Sequence, residues 1–257
     1  MSTGKNKSYK GKTCVYCGVP KISNTGDHVV ARQFVLERHR GNMPKVPACD
    51  ACNGEKAKLE HHLTAVLPIG ARHPDAAEML TAIPKRLEKN PALRQSIDHT
   101  TIPRWMPSPS GLLIKTSVVL VDADALIPWS EMVVKGLAWH HWKVVVGKHR
   151  EVIATIKSAD EAAFFEHSLT REGITIPNTV LGNGALTYMA QGVEGHLPAS
   201  IWRLSVYGVE LGGVDPRFRT TAMYVVVDHD GAERRGETVS SDDIGMDEWR
   251  GLMRPKI

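Results

Sequence analysis

The chain carries no cysteine in the 205 residues that follow Cys52. A secreted fold stapled by disulfides spreads its bridges along the chain, so that class is excluded. No apolar run approaches the ~18 residues a membrane helix needs, so a spanning helix is excluded as well. The first twelve residues, MSTGKNKSYKGK, are polar and basic, and no apolar segment follows them. They do not form a secretory signal, and the expected location is the cytoplasm. Glycine and proline show no repeat, so the chain is not collagenous. P-loop, dinucleotide GxGxxG and nucleophile-elbow patterns are missing. The one Gly-rich string, Gly182-Asn183-Gly184, is read as a turn because no helix follows it.

What is present suffices for a core: 257 residues, 42% hydrophobic and 23% charged. Length alone allows one large domain or two small ones. Charge is unevenly placed. Residues 1–60 hold 11 Lys and Arg against 5 Asp and Glu, a net of +6, while residues 61–257 hold 21 against 23, a net of −2. A basic segment of this kind suits a polyanion, because each neutralised phosphate releases counterions.

The four cysteines are Cys14, Cys17, Cys49 and Cys52, in the strings CVYC and CDAC with 31 residues between them. Two CxxC knuckles supply four thiolates to a tetrahedral zinc. Such a site is closed to water and structural, not itself catalytic. Redox-active CxxC motifs or unrelated buried thiols are the weaker readings, since Cys14 follows a polar Lys-rich arm and not a strand. Between the knuckles, Val15-Tyr16 is expected as a short strand edge and Val29-Val30 as a β element. A helix is expected over Glu55–Leu67, opened by Asn53-Gly54. The order is β, β, α with a knuckle at each end.

The strings GDHVVARQF and GNMPKVPACDACNGEK resemble the HNH endonucleases with a ββα-metal (His-Me finger) site, in particular the subgroup stapled by two CxxC zinc knuckles. The resemblance covers roughly residues 12–67, a quarter of the chain. It implies that His28 is the general base, an imidazole whose ordinary pKa of about 6.5 lets it accept a proton near neutrality. It implies that Asp27 and Asn53 hold a divalent ion, Mg²⁺ or Mn²⁺, which prefers a few hard oxygen donors and keeps water and phosphate on its other positions. Asn42 is the candidate for the middle residue that ties the loop and orients His28. It stands 11 residues before Asn53, about two more than the family's spacing. Lys56, Arg32, Arg38 and Arg40 are the candidate nucleic-acid contacts, with a solvated helix face as the alternative for Lys56.

Beyond residue 68, residues 74–98 are expected as one or two short helices and residues 103–111, rich in Pro and Ser, as a linker. Leu112–Val121 is expected as a strand, and a helix capped by Asp122 or Asp124 runs to about Trp142, with Trp129, Val133 and Leu137 on a core-facing stripe. Strands are expected at 151–156, 186–190, 201–209 and 220–227, the last two as a hairpin. A helix capped by Ser158 reaches about Leu169, and a terminal helix covers 247–253. The fold class is therefore α+β: a ββα-metal unit with its zinc over 1–68, and a larger α+β unit over 69–257 for target recognition or dimerisation. The function expected is metal-dependent hydrolysis of DNA phosphodiester bonds, with a homodimer suited to double-strand cutting. The alternatives are a non-enzymatic zinc-stabilised nucleic-acid-binding protein and an interaction protein whose larger unit does the work.

Overall fold

The computed structural model describes residues 8–147, 150–157, 159–197, 199–209, 211 and 222–227. The expected helix at 247–253 and the capping residue Ser158 lie outside them. The fold is mixed α+β. Strand β1 (Thr25–His28) pairs antiparallel with β2 (Lys45–Ala48), setting Asp27 opposite Val46 and His28 opposite Lys45. Helix α1 (Asp50–Val66) follows at once, with Cys49 as its N-cap and Asp50 in its first turn, where the helix dipole favours an acid. The expected start at Asn53-Gly54 is thus late by about a turn, because the second knuckle is itself the first turn of the helix. Val29-Val30 are not a strand. β1 ends at His28, the Val29 N–H donates to the Pro44 carbonyl at 2.9 Å, and both valines are buried.

Three short helices come next, α2 (Pro74–Thr81), α3 (Ile83–Lys89) and α4 (Pro91–Thr100), each with a proline in its first turn. Residues 103–111 are not a linker. Strand β3 (Thr101–Pro107) pairs with β4 (Leu113–Val119) in a two-stranded ribbon. Pro103 and Pro107 are tolerated because they stand at positions whose N–H would point away from β4, as the Leu120→Thr100 and Ser108→Leu112 backbone bonds fix by alternation.

Helix α5 (Ala123–Trp142) is capped by Asp122, whose Oδ1 accepts from the Asp124 N–H at 2.9 Å. Then come β5 (Val152–Thr155), α6 (Ala159–Ser168), β6 (Ile174–Leu181), β7 (Leu186–Gly192), β8 (Ser200–Val206) and β9 (Met223–Val227). They form one antiparallel sheet of order β5-β9-β8-β7-β6, and β8 and β9 are the expected neighbours. β6 went unread in the sequence because Pro177 interrupts its alternation; the strand lies at the sheet edge and shifts register between Ile176 and Thr179.

The sheet is covered on both faces. Trp202, Leu204, Met223 and Val225 join α5 residues Trp129, Val133 and Leu137 in the main core, while Ile201, Tyr224 and Val226 pack with Phe165 and Leu169 on the α6 side. Burial on both faces explains why MYVVV is apolar without alternation. The main core also takes in Cys14, Val29, Phe34, Val46 and Leu63, so residues 14–67 and the five-stranded sheet share one apolar interior with α5 between them. No helix among the described residues is long and apolar enough to cross a membrane.

The contact between α5 and the loop after β1 is close. A Cβ on Gly136 would stand 2.9 Å from Val29 Cγ2 and 3.0 Å from its Cγ1. Since both residues are buried, the space cannot open cheaply. Gly136→Val is therefore expected to destabilise the protein by about 1–3 kcal/mol through overpacking, read as a lower urea midpoint at unchanged slope.

Candidate metal centre and the adjoining Asp27–His28 site

The four cysteines are free of disulfides, and their sulfurs lie within 4.8 Å of one another. Zinc–sulfur bonds of about 2.3 Å put tetrahedral sulfurs about 3.8 Å apart, so the cluster is compatible with a structural zinc site. Local backbone explains the convergence. The first knuckle turns tightly, with the Gly18 N–H donating to the Cys14 carbonyl at 2.8 Å and Gly18 at φ 72°. The Val15 N–H donates to Pro47 O at 3.0 Å, which lays this knuckle on β2, and the Cys49 N–H points at Cys14 Sγ at 3.4 Å. Burial and the neighbouring sulfurs push the Cys52 thiol well above its ordinary pKa. Four thiolates in this space repel one another, and a divalent cation offsets that cost.

Beside the knuckles lies a buried polar network. Lys56, on the first turns of α1, is fully buried. Its ammonium is 3.0 Å from Asp27 Oδ2 and 2.7 Å from Glu60 Oε1, and it donates to the His28 carbonyl at 2.8 Å. Tyr16, from inside the CVYC knuckle, donates its hydroxyl to the same Asp27 Oδ2 at 2.6 Å. Burial first, and the Asp27 carboxylate second, hold that phenol far above its usual pKa. Glu60 Oε1 also accepts from the Ala31 N–H at 2.9 Å and the Trp129 indole N–H at 3.3 Å. Burial raises the Glu60 pKa, and Lys56 opposes that rise.

Asp27 and His28 are consecutive on a strand, so their side chains leave on opposite sides. Oδ1 of Asp27 accepts no hydrogen bond among the described residues, while Oδ2 is held by Tyr16 and Lys56. His28 is half-buried, and its pKa is lowered to about 4, by desolvation first and then by the Lys45 cation opposite it. The imidazole is neutral at pH 7, and the same shift makes it a weaker base than the ordinary histidine expected from the sequence. Asn53 is partly exposed, three residues before Lys56 and therefore on the same face of α1 one turn nearer the knuckle. Its side chain makes no hydrogen bond among the described residues.

Several site expectations are corrected. Lys56 is no nucleic-acid contact, for a residue with no exposed surface cannot touch a phosphate. Asn42 is exposed in a turn and its side chain ties nothing among the described residues; the loop is tied by the Val29–Pro44 backbone bond instead. Arg40 Nε donates to the carbonyls of Arg32 and Val35 at 2.9 and 2.8 Å, so that guanidinium also holds the loop. Arg38 pairs with Glu78 at 2.8 Å and lies 3.6 Å from Asp75. Of the four basic candidates, Arg32 alone is exposed with no side-chain hydrogen bond or ion pair among the described residues, and its charge helps lower the His28 pKa. Tyr16, Glu60, Lys45 and Trp129 complete the network without having been read as site residues. An aromatic enclosed by two knuckle cysteines was the one signal in the sequence that pointed to any of them.

Comparison of the chain with protein-family models, with curated proteins and with solved structures finds no match.

The cluster makes a direct prediction. The purified chain should carry close to one zinc by elemental analysis. Cys49→Ser should lose the metal and melt at a markedly lower temperature, because structural zinc binding is folding free energy on the order of 10 kcal/mol.

Proposed function

We propose that the chain is a metal-dependent endonuclease that hydrolyses DNA phosphodiester bonds, with His28 as general base and a divalent ion, Mg²⁺ or Mn²⁺, held by Asp27 and Asn53. The observation that carries the reading is the placement of Asp27 and His28 on a short strand pinned to α1 beside the four-sulfur cluster. One Asp27 oxygen is occupied by Lys56 and Tyr16, which fixes the carboxylate, and the other is left for a cation. Asn53, on the same helix face as Lys56, offers a neutral amide oxygen as the second donor beside the Asp27 carboxylate. A cation bound there supplies charge to the phosphate oxygens and to the leaving 3′ oxygen.

His28 does the proton work. A neutral imidazole takes a proton from water without first losing one of its own. Its carbonyl is anchored by the Lys56 ammonium at 2.8 Å, which fixes the backbone from which the ring projects. Arg32 and Lys45 place positive charge next to the ring, where an approaching phosphate would lie. The zinc takes no part in the chemistry; four sulfur ligands leave it no open position. The surplus of basic residues in 1–60 concentrates polyanion attraction on the same part of the chain.

A second reading is favoured by one observation. Asp27 already has an ammonium at 3.0 Å, so its charge is compensated without any cation. On that reading the ion pair is purely structural and the chain is a non-enzymatic zinc-stabilised module that binds nucleic acid. Nicking of supercoiled plasmid with added Mg²⁺ or Mn²⁺, with and without chelator, separates the two. The expected result is metal-dependent nicking by the natural chain and a loss of at least a hundredfold in His28→Ala, with zinc content and thermal unfolding unchanged. Nicking by His28→Ala at the natural rate contradicts the assignment, and no nicking by any form favours the binding module.

A further inference from the structure

Ten large hydrophobic residues are exposed among the described residues, and seven of them lie between Ile102 and Leu120, on or beside the β3–β4 ribbon. Trp105 is 62% exposed, Leu112 70%, Leu113 65% and Ile114 50%. Strand alternation puts Trp105 and Leu113 on one face of the ribbon and Met106 and Ile114 on the other. Among the described residues the ribbon is packed only at its base, where Val119 meets Ala65, Val66, Leu93 and Ile97, and the rest of both faces is uncovered; contiguous exposed apolar surface marks an interaction site. A two-stranded ribbon alone is marginal in water.

The two edges of the ribbon differ. Backbone bonds from Leu120 to Thr100 and from Ser108 to Leu112 fix which residues face across the ribbon. By alternation, the outward backbone groups of β3 are those of Thr101, Pro103, Trp105 and Pro107, and two of these four have no N–H. The outward groups of β4 are those of Leu113, Lys115, Ser117 and Val119, all with N–H and C=O intact. The β3 edge is blocked against another strand and the β4 edge is open.

We infer that β4 is the pairing edge of a homodimer, in which two copies join β4 to β4 antiparallel about a twofold axis through Thr116. This register uses every open group on the edge: Leu113 of one copy faces Val119 of the other, and Lys115 faces Ser117. It also keeps the two Lys115 ammonium groups from standing directly opposite, as they do if the axis passes through Lys115. The product is a four-stranded sheet, β3-β4-β4-β3, in which both apolar faces become continuous and the marginal ribbon gains two strands. A second copy fits better than a nucleic acid. The ribbon carries only Arg104 and Lys115 as charged residues over 101–120, and its most exposed side chains are apolar on both faces. The inference stands whether or not the chain is a nuclease.

The test is the mass of the full chain by light scattering at micromolar concentration, with and without duplex DNA. The natural chain is expected at twice 28.3 kDa without DNA. Ser117→Pro copies on β4 the device already present on β3, removing an outward N–H while leaving the β3 bonds alone. It is expected at the single-chain mass with zinc content unchanged and a melting temperature lowered by loss of the partner copy. Should that variant fail to fold, Thr116→Cys serves instead. Facing residues at the axis have Cα atoms about 4.5 Å apart, within disulfide reach, so an interchain disulfide is expected on mild oxidation of the zinc-loaded protein. A natural chain that stays at single-chain mass, a folded Ser117→Pro that still dimerises, or an uncross-linked Thr116→Cys overturns the proposal. So does a monomer whose Trp105 emission shifts only when duplex is added, which would make the ribbon a nucleic-acid element.

Discussion

A single buried ammonium organises the N-terminal quarter of this protein. Removing a charge from water costs several kcal/mol, and the cost is offset only by good geometry and further hydrogen bonds. Lys56 meets that condition with two carboxylates and a carbonyl, all within 3.0 Å. The groups that meet it come from different parts of the chain. Asp27 and the His28 carbonyl belong to β1, Glu60 to α1, and through Glu60 the network reaches Ala31 in the loop and Trp129 on α5. Tyr16 brings in the first knuckle. A displacement of any of these elements leaves a buried charge or donor without its partner, so the network specifies one arrangement.

The cysteine cluster and the network divide the work. The sulfurs draw together chain segments separated by 31 residues, and so set the gross closure of the loop. The ammonium then fixes the side-chain detail inside that closure, down to which oxygen of Asp27 is occupied. Trp129 and Gly136 extend the control to α5, one through an indole N–H and the other through a close approach to Val29. The five-stranded sheet on the far side of α5 thereby becomes part of the same interior. The candidate site is supported by the whole fold and not by the small ββα unit alone.

Much of this was legible in the residues. CxxC spacing has few physical explanations, and the four sulfurs do converge. The Trp129, Val133, Leu137 stripe followed from helical period, but the two short strands before the helix fall at Thr25–His28 and Lys45–Ala48, while Val15-Tyr16 is a turn and Val29-Val30 a bend. What stayed hidden has a common cause: polar residues doing apolar jobs and prolines sitting inside strands. Lys56 and Glu60 occupy positions i and i+4 on the buried face of α1, where a charge pair reads as a solvated surface. Arg38 and Arg40 look like phosphate contacts in a basic string, yet one is matched by Glu78 and Asp75 and the other by backbone carbonyls. Pro103, Pro107 and Pro177 concealed β3 and β6 because proline is compatible with an edge, and edges cannot be told from linkers without the pairing.

A double-mutant cycle on Lys56 and Asp27, read by urea unfolding of the zinc-loaded chain, tests this account most directly. Lys56→Met and Asp27→Asn are each expected to destabilise strongly, by on the order of 3–5 kcal/mol for the lysine, and the double variant by less than their sum, with a coupling of about 1–3 kcal/mol. Additive effects, within about 0.5 kcal/mol, would mean that the ammonium and the carboxylate do not act together, and would contradict the arrangement on which the site is built.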